Sequence, residues 1–114
     1  MKQGELLLSV LFSDCASAIH LKDSQFSASS ERNPEHAASR ARLYGNSAWC
    51  SARSYDMKYL QIDFADSMEV RGVATQGHPN EYKFMYKYTI DYSLGHDWIA
   101  FTEYGTRKVS VPIL

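Results

Sequence analysis

Cysteines and long apolar runs are scarce in this chain of 114 residues. The two cysteines, Cys15 and Cys50, are too few for a disulfide-rich scaffold, and their surroundings lack the ligand spacing of a zinc site. No apolar stretch reaches the roughly 18 to 20 residues that a transmembrane helix needs. The sequence leaves open whether the cysteines pair with each other, pair with another chain or stay reduced.

An excess of charge is also lacking, because the formal net charge is −1 and no run of five basic residues occurs. Domains that bind nucleic acid usually carry a strong basic excess, so nucleic acid is not an expected partner. The chain contains no GxSxG, HExxH, GxGxxG or P-loop motif, and its four histidines are scattered. We therefore predict no catalytic residue, no cofactor and no metal site.

The first 22 residues allow two interpretations. The apolar run Leu6–Phe12, followed by the small residues Ala16–Ala18, resembles a short secretory signal with a cleavage site. Glu5 lies where such a signal would be basic, and cleavage after Ala18 would remove Cys15. The alternative is a first strand or a buried segment of the domain, and the sequence does not decide between the two.

The second half of the chain contains segments in which apolar and polar residues alternate. Leu60, Ile62 and Phe64 alternate with polar neighbours, and the same period of two recurs from Tyr86 to Tyr92. This period places one set of side chains on each face of a strand, and the Val, Ile, Tyr, Phe and Thr content suits a half-buried sheet. The pattern predicts antiparallel strands at Tyr59–Phe64, Val70–Gln76, about Phe84–Ser93 and Trp98–Glu103.

Two tryptophans are the predicted anchors of the core. Trp49 and Trp98 are large apolar bodies with one N–H each, which is typical of core residues near a sheet edge. Arg42 and Asp63 could form a partly buried ion pair. Gly77 is expected to end a strand where the backbone turns sharply.

Five segments follow one another in an order that points to one family. They are DSQFSASS (Asp23–Ser30), SRARLYGNSAWCS (Ser39–Ser51), YLQIDF (Tyr59–Phe64), VRGVATQG (Val70–Gly77) and YKYTIDYSLGHDWIAF (Tyr86–Phe101). Together these segments resemble the discoidin domain, also called the factor V/VIII type C domain. The resemblance implies an all-β fold, an antiparallel β-sandwich of jelly-roll type that forms a distorted barrel.

The resemblance begins at Asp23, so we predict an N-terminal segment at residues 1–22 and a partial discoidin domain at residues 23–114. Discoidin domains continue beyond the segment that resembles WIAF with further strands and a terminal cysteine, which have no counterpart here. The resemblance therefore implies an incomplete sandwich, in which the first-to-last disulfide of the family cannot form within the chain.

The resemblance also implies a non-catalytic binding module, outside the cell or at its surface, within a larger protein. Members of the family bind ligands with loops at one end of the barrel. The corresponding loops are Ser30–His36, Leu43–Ser47 and Gly77–Lys83. The expected ligand-binding residues, all predicted to be exposed, are Arg32, Asn33, His36, Tyr44, Asn46, His78, Asn80, Tyr82 and Lys83.

The composition of these loops argues against some classes of binding partner. Ser30–His36 has no Trp, Phe or Leu that could enter a bilayer, which argues against direct membrane insertion. Glu31 occupies the position where collagen-binding members carry a tryptophan, which argues against collagen. No carboxylate cluster suggests calcium. The expected partner is a cell-surface glycan or an extracellular protein, and the alternative is a carbohydrate-binding accessory domain of a larger secreted enzyme.

Overall fold

The computed structural model describes residues 5–12, 17–18, 21–53, 57–67, 70, 72–85, 87–103, 106–107 and 109–110. The chain divides into two compact units, Met1–Phe84 and Met85–Leu114. Within the described ranges the helical elements are short 3-10 turns at Asp23–Gln25, Pro34–His36 and Ala38–Arg40. No described helix has the length and hydrophobicity needed to cross a bilayer.

The first unit is organised around one long strand. Its strands are β1 (Glu5–Phe12), β2 (Ser17–Ala18), β3 (Phe26–Ala28), β4 (Trp49–Cys50), β5 (Leu60–Ile62) and β6 (Gly72–Gln76). β1 pairs antiparallel with β2, β4 and β6, and its longest ladder runs from Leu7↔Gln76 to Leu11↔Gly72. β3 pairs antiparallel with β5, so the segment that precedes the first loop is held in the sheet structure.

The second unit consists of short antiparallel pairs among its described residues. β7 (Tyr88–Thr89) pairs with β12 (Val109–Ser110), β8 (Asp91–Tyr92) with β9 (Ile99–Ala100), and β10 (Thr102–Glu103) with β11 (Thr106–Arg107). Gly95 adopts a φ of 95° in the turn between β8 and β9, a left-handed conformation that favours glycine. The strand predicted at about Phe84–Ser93 is thus present as two shorter strands.

The prediction of an all-β, antiparallel fold is confirmed, since every described strand pair is antiparallel. The described strands do not close into a barrel. Observed strands are shorter than predicted, and β5 shows why. The Asp63 Oδ1 atom accepts a hydrogen bond from the backbone N–H of Ala65 at 2.8 Å, and Ala65 has a φ of 70°. This local turn ends the strand before Phe64.

Trp49 is the centre of the core in the first unit. It is 1% exposed, and its neighbours Cys50 and Ser51 are fully buried. The indole N–H donates to the Ser30 carbonyl oxygen at 2.9 Å, which satisfies its one polar group. The prediction for Trp49 is therefore confirmed. The prediction for Trp98 is wrong, because this side chain is 56% exposed beside a two-residue ladder that offers no broad face to cover an indole.

The predicted pairing of Arg42 with Asp63 is also wrong. The Arg42 Nη2 atom lies 2.7 Å from Oδ1 of Asp23, and its Nε donates to the Ser39 carbonyl oxygen at 3.1 Å. The guanidinium carbon lies 4.7 Å from the centroid of the Phe26 ring. Asp63 is instead used in the turn that ends β5, so Arg42 joins the 3-10 turn at Asp23–Gln25 to the segment before the second loop.

Candidate functional site

Three loops of the first unit are joined by hydrogen bonds. They are loop 1 (Ser30–His36), loop 2 (Leu43–Ser47) and loop 3 (Gly77–Lys83). The Ser47 hydroxyl donates to the Glu35 carbonyl oxygen at 2.8 Å, which joins loops 1 and 2. The Asn80 side-chain amide donates to the Asn46 carbonyl oxygen at 3.2 Å, which joins loops 2 and 3. The fold thus brings together the three loops predicted to bind ligand.

A pair of serines anchors the start of loop 1. The Ser29 hydroxyl oxygen accepts from the backbone N–H of Tyr59 at 3.0 Å, and that of Ser30 accepts from the backbone N–H of Ala52 at 3.0 Å. Serine suits both positions because its short hydroxyl can take the place of a backbone acceptor where strand pairing stops. Loop 1 therefore leaves the sheet from a defined point.

The imidazole of His78 organises loop 3. Its Nδ1 accepts from the backbone N–H groups of Asn80 and Glu81, at 3.0 and 3.1 Å. The backbone N–H of His78 donates to the backbone carbonyl oxygen of Lys83 at 2.9 Å and so closes the base of the loop. A Cβ at Gly77 would lie only 3.1 Å from that same oxygen, so a larger residue would have to displace this carbonyl by a few tenths of an ångström.

Hydrogen-bond partners assign the tautomers of the two histidines. Since Nδ1 of His78 accepts two hydrogen bonds, the neutral ring carries its hydrogen on Nε2. Nδ1 of His36 lies 2.7 Å from the amide oxygen of Asn33 and must donate to it. The lone pair of His36 is then on Nε2, which lies 2.8 Å from Nη2 of Arg32 and 3.3 Å from Nε2 of His78. In both contacts Nε2 of His36 is the acceptor, and the N–H groups of Arg32 and His78 are the donors.

Glu81 completes this network from loop 3. Its Oε2 atom lies 3.2 Å from Nη2 of Arg32 and 3.1 Å from Nε2 of His78. The pKa of the Glu81 carboxyl is lowered, chiefly by the hydrogen bond from Arg32; the positive charge of Lys83 adds to this, while partial desolvation opposes it. Arg32, His36, His78 and Glu81, hereafter the latch, therefore connect loop 1 to loop 3.

The latch has the side-chain types of a metal site. The ligand atoms of His36, His78 and Glu81 all lie within 4.8 Å of one another. Arg32, however, already supplies a cation that contacts both His36 and Glu81. A metal on Nε2 of His78 would also require that ring to stop accepting from the loop backbone, because Nδ1 would then carry the hydrogen. As it stands, the arrangement is a hydrogen-bonded connection between loops.

Five of the nine predicted ligand-binding residues are exposed, as predicted: Asn33, Tyr44, Asn46, Asn80 and Tyr82. Arg32 and Lys83 are half-buried. The predicted exposure of His36 and His78 is wrong, since His36 is 8% exposed and the His78 side chain 5%. Both imidazoles point inward because every ring nitrogen has a hydrogen-bond partner in loop 1 or loop 3, so these residues hold the loops rather than present a surface.

Two tyrosines are the most exposed large side chains of the loops. Tyr82 is 95% exposed, and its ring meets that of Phe84 edge-on at a centroid distance of 6.2 Å. Tyr44 is 88% exposed and has a φ of 59°, which is rare for a residue with a Cβ. Its backbone N–H donates to the side-chain oxygen of Gln76 at 3.0 Å. Strain of this kind is often retained where a loop has a functional role.

Sequence reasoning missed two acidic residues of the loops. Glu81 is not among the predicted site residues, although it follows His78 by three positions in a short loop, a spacing that can bring the two side chains together. Glu31, whose position in the sequence argues against collagen binding, also has a structural role that its sequence context does not indicate. Its Oε2 accepts from the backbone N–H of Ala38 at 2.6 Å and so stabilises the start of the 3-10 turn at Ala38–Arg40.

The sequence profile of the F5/8 type C domain matches residues 25–112 of the chain. Neuropilin-1 of Gallus gallus is 32% identical over 96 residues, which cover 78% of this chain and 10% of that protein. Neurexin-4 of Drosophila melanogaster is 35% identical over 63 residues, covering 55% of this chain and 5% of that protein.

Coagulation factor VIII of Canis lupus familiaris is 32% identical over 117 residues, covering 90% of this chain and 5% of that protein. The chain thus spans 10% or less of the length of each of these three relatives. No solved structure gives a significant match to the chain.

Proposed function

Because this chain belongs to the F5/8 type C, or discoidin, domain family, we propose that it is a non-catalytic binding module of an extracellular or cell-surface protein. Discoidin domains are β-sandwiches, and those of neuropilin, neurexin and factor VIII are extracellular, non-enzymatic binding modules. We propose further that loops 1, 2 and 3 bind the ligand, and that the ligand is a cell-surface glycan or an extracellular protein.

One observation supports the loops as the binding surface: hydrogen bonds join them to one another, and they still expose the side chains of Tyr44 and Tyr82 to solvent. Loops 1 and 3 are joined by the latch, and loop 2 is bonded to both neighbours. Loops that are already ordered lose less conformational entropy when a partner binds. Tyrosine is enriched among residues that dominate binding energy, because it combines a large apolar area with a polar tip.

The remaining exposed side chains of the loops favour a polar partner. Asn33, Asn46 and Asn80 each carry an amide that can both donate and accept hydrogen bonds. Among the described loop residues, the exposed large apolar side chains are the two tyrosines, whose hydroxyls also need polar neighbours. This composition supports a glycan or a polar protein surface rather than insertion into a bilayer.

The test is an array of cell-surface glycans and extracellular-matrix proteins probed with the chain. We expect that Tyr44→Ala combined with Tyr82→Ala weakens binding by about tenfold or more, since truncation of a dominant interface residue costs 2 kcal/mol or more. Tyr59→Ala, which removes an exposed tyrosine outside the three loops, is the matched control. Unchanged binding by the double variant, with circular dichroism also unchanged, would refute the loops as the binding surface.

A further inference from the structure

A recess of about 290 Å³ lies beside loops 1 and 2 in the first unit. The polar residues that line it are Asp23, Ser39, Arg40, Arg42, Asn46 and Ser47. We propose that this recess binds one acidic sugar unit of a glycan, recognised through a carboxylate or a sulfate group together with its hydroxyls. The proposal rests on the binding function proposed above and names the chemical class of its ligand.

The lining of the recess has a net positive charge, because it contains two arginines and one carboxylate. Arg42 is held in place before any ligand arrives. Its guanidinium is bonded to Asp23 and to the Ser39 carbonyl oxygen, and it lies over the ring of Phe26. These contacts use two of its five N–H groups, so the fixed guanidinium keeps donors for an oxyanion.

Arg40 supplies the second positive charge, for which the described residues provide no counter-ion. It ends the 3-10 turn at Ala38–Arg40, its side chain is exposed, and no acceptor for its guanidinium occurs within the described ranges. A guanidinium binds carboxylate and sulfate oxygens with charge-assisted hydrogen bonds, which are stronger than neutral ones. Arg40 is therefore the residue that we assign to the acidic group.

The neutral groups of the recess distinguish a sugar from a simple anion. The Ser39 hydroxyl and the Asn46 amide bond to no other described side chain or backbone group, and each can donate and accept. The Ser47 hydroxyl donates to Glu35 and can still accept. Several hydroxyls of a sugar would match these groups, whereas an isolated carboxylate would leave most of them unused. The volume lies at the lower end of small-ligand sites, which suits one sugar unit.

The experiment is a titration of the isotope-labelled chain, followed by NMR, with four probes. Sialyllactose carries a carboxylate, a sulfated disaccharide carries a sulfate, lactose is the neutral control, and a glutamate-rich peptide offers carboxylates without a sugar. We expect one or both acidic sugars to shift the resonances of Ser39, Asn46 and Ser47, and lactose to leave them unchanged. The acidic sugar that shifts them identifies which group the recess accepts.

Arg40→Gln should weaken acidic-sugar binding by about tenfold, since it removes one charge-assisted hydrogen bond. Arg53→Gln removes an exposed arginine outside the recess and should leave binding unchanged. Equal binding of lactose, equal binding of the peptide, or no effect of Arg40→Gln would each overturn the assignment. If binding on the array is weakened by Tyr44→Ala with Tyr82→Ala but not by Arg40→Gln, the recess is not the sugar site. The proposed function of the three loops would still stand.

Discussion

The Nε2 atoms of His36 and His78 lie 3.3 Å apart although the two residues are 42 positions apart in the chain. The contact is possible because each ring has a defined tautomer, set by Asn33 on one side and by the backbone of loop 3 on the other. Two buried imidazoles thereby add to the Arg32–Glu81 ion pair that connects loop 1 to loop 3.

His78→Ala should destabilise the chain by about 1–3 kcal/mol, because it leaves two backbone N–H groups of loop 3 without their acceptor. Amide exchange at residues 77–83 should become faster, and binding should weaken as the loop loses order. Urea unfolding and hydrogen exchange measure these effects. His96→Ala removes an exposed imidazole and should change stability by less than about 0.5 kcal/mol. Equal effects of the two substitutions would contradict the role assigned to His78.

The lowered pKa of Glu81 predicts that the stability of the folded chain depends on pH. Its pKa in the folded chain lies below the ordinary value of 4.5, so the folded state favours the ionised carboxylate more than the unfolded state does. The stabilisation is therefore fully present above the ordinary pKa and is lost as pH falls through the lowered folded value. The difference in stability between the native chain and Glu81→Gln should shrink as pH falls from above 4.5 through the lowered pKa of the folded chain. A difference that stayed constant over this range would contradict the assignment.

Tyr44→Gly should separate stability from binding. Glycine tolerates the left-handed backbone at this position, so the substitution relieves backbone strain, while the greater freedom of glycine in the unfolded chain offsets part of that relief. We expect the free energy of unfolding to rise by about 0.5–1 kcal/mol. Binding should fall nevertheless, because the exposed ring is lost. Thermal unfolding and the array together give both values. A variant that loses stability would show that the ring packs against the fold.

Trp49→Ala should cost about 3–5 kcal/mol, because it opens a cavity at the centre of the core and leaves the Ser30 carbonyl oxygen without its donor. Trp98→Ala is the matched control: the side chain is more than half exposed, and we expect a loss of about 1 kcal/mol or less. Denaturant unfolding compares the two. Similar losses would mean that Trp98 is covered as fully as Trp49.

Ser51→Ala should leave stability unchanged or raise it by about 1 kcal/mol, because the Ser51 hydroxyl is buried without a hydrogen-bond partner among the described residues. A Ser30→Ala variant provides the contrast, since that hydroxyl accepts from Ala52 and its removal should destabilise. If Ser51→Ala proves the more damaging of the two, the hydroxyl has an acceptor and the interpretation fails.

Local patterns predicted the features that depend on neighbouring residues. Alternation located the strand at Leu60–Ile62, and the apolar character of Trp49 indicated the core. Family resemblance, rather than periodicity, grouped the three loops. The latch escaped prediction because its contacts join residues far apart in the chain, and histidine in a polar loop gives no sign of whether it turns inward. The prediction for Trp98 failed for a related reason: the size of an indole favours burial but does not show whether the neighbouring strands offer a face that covers it.

The pairing of Glu5–Phe12 with Gly72–Gln76 has a consequence for processing of the chain. Residues 5–12 precede the region that matches the family profile, yet they provide the backbone partners for five consecutive residues of β6. Proteolysis that removed them would leave β6 with unsatisfied N–H and C=O groups along one edge. An extended segment from another molecule could add to that edge, so trimming of the N-terminus would convert an intramolecular ladder into a template for association.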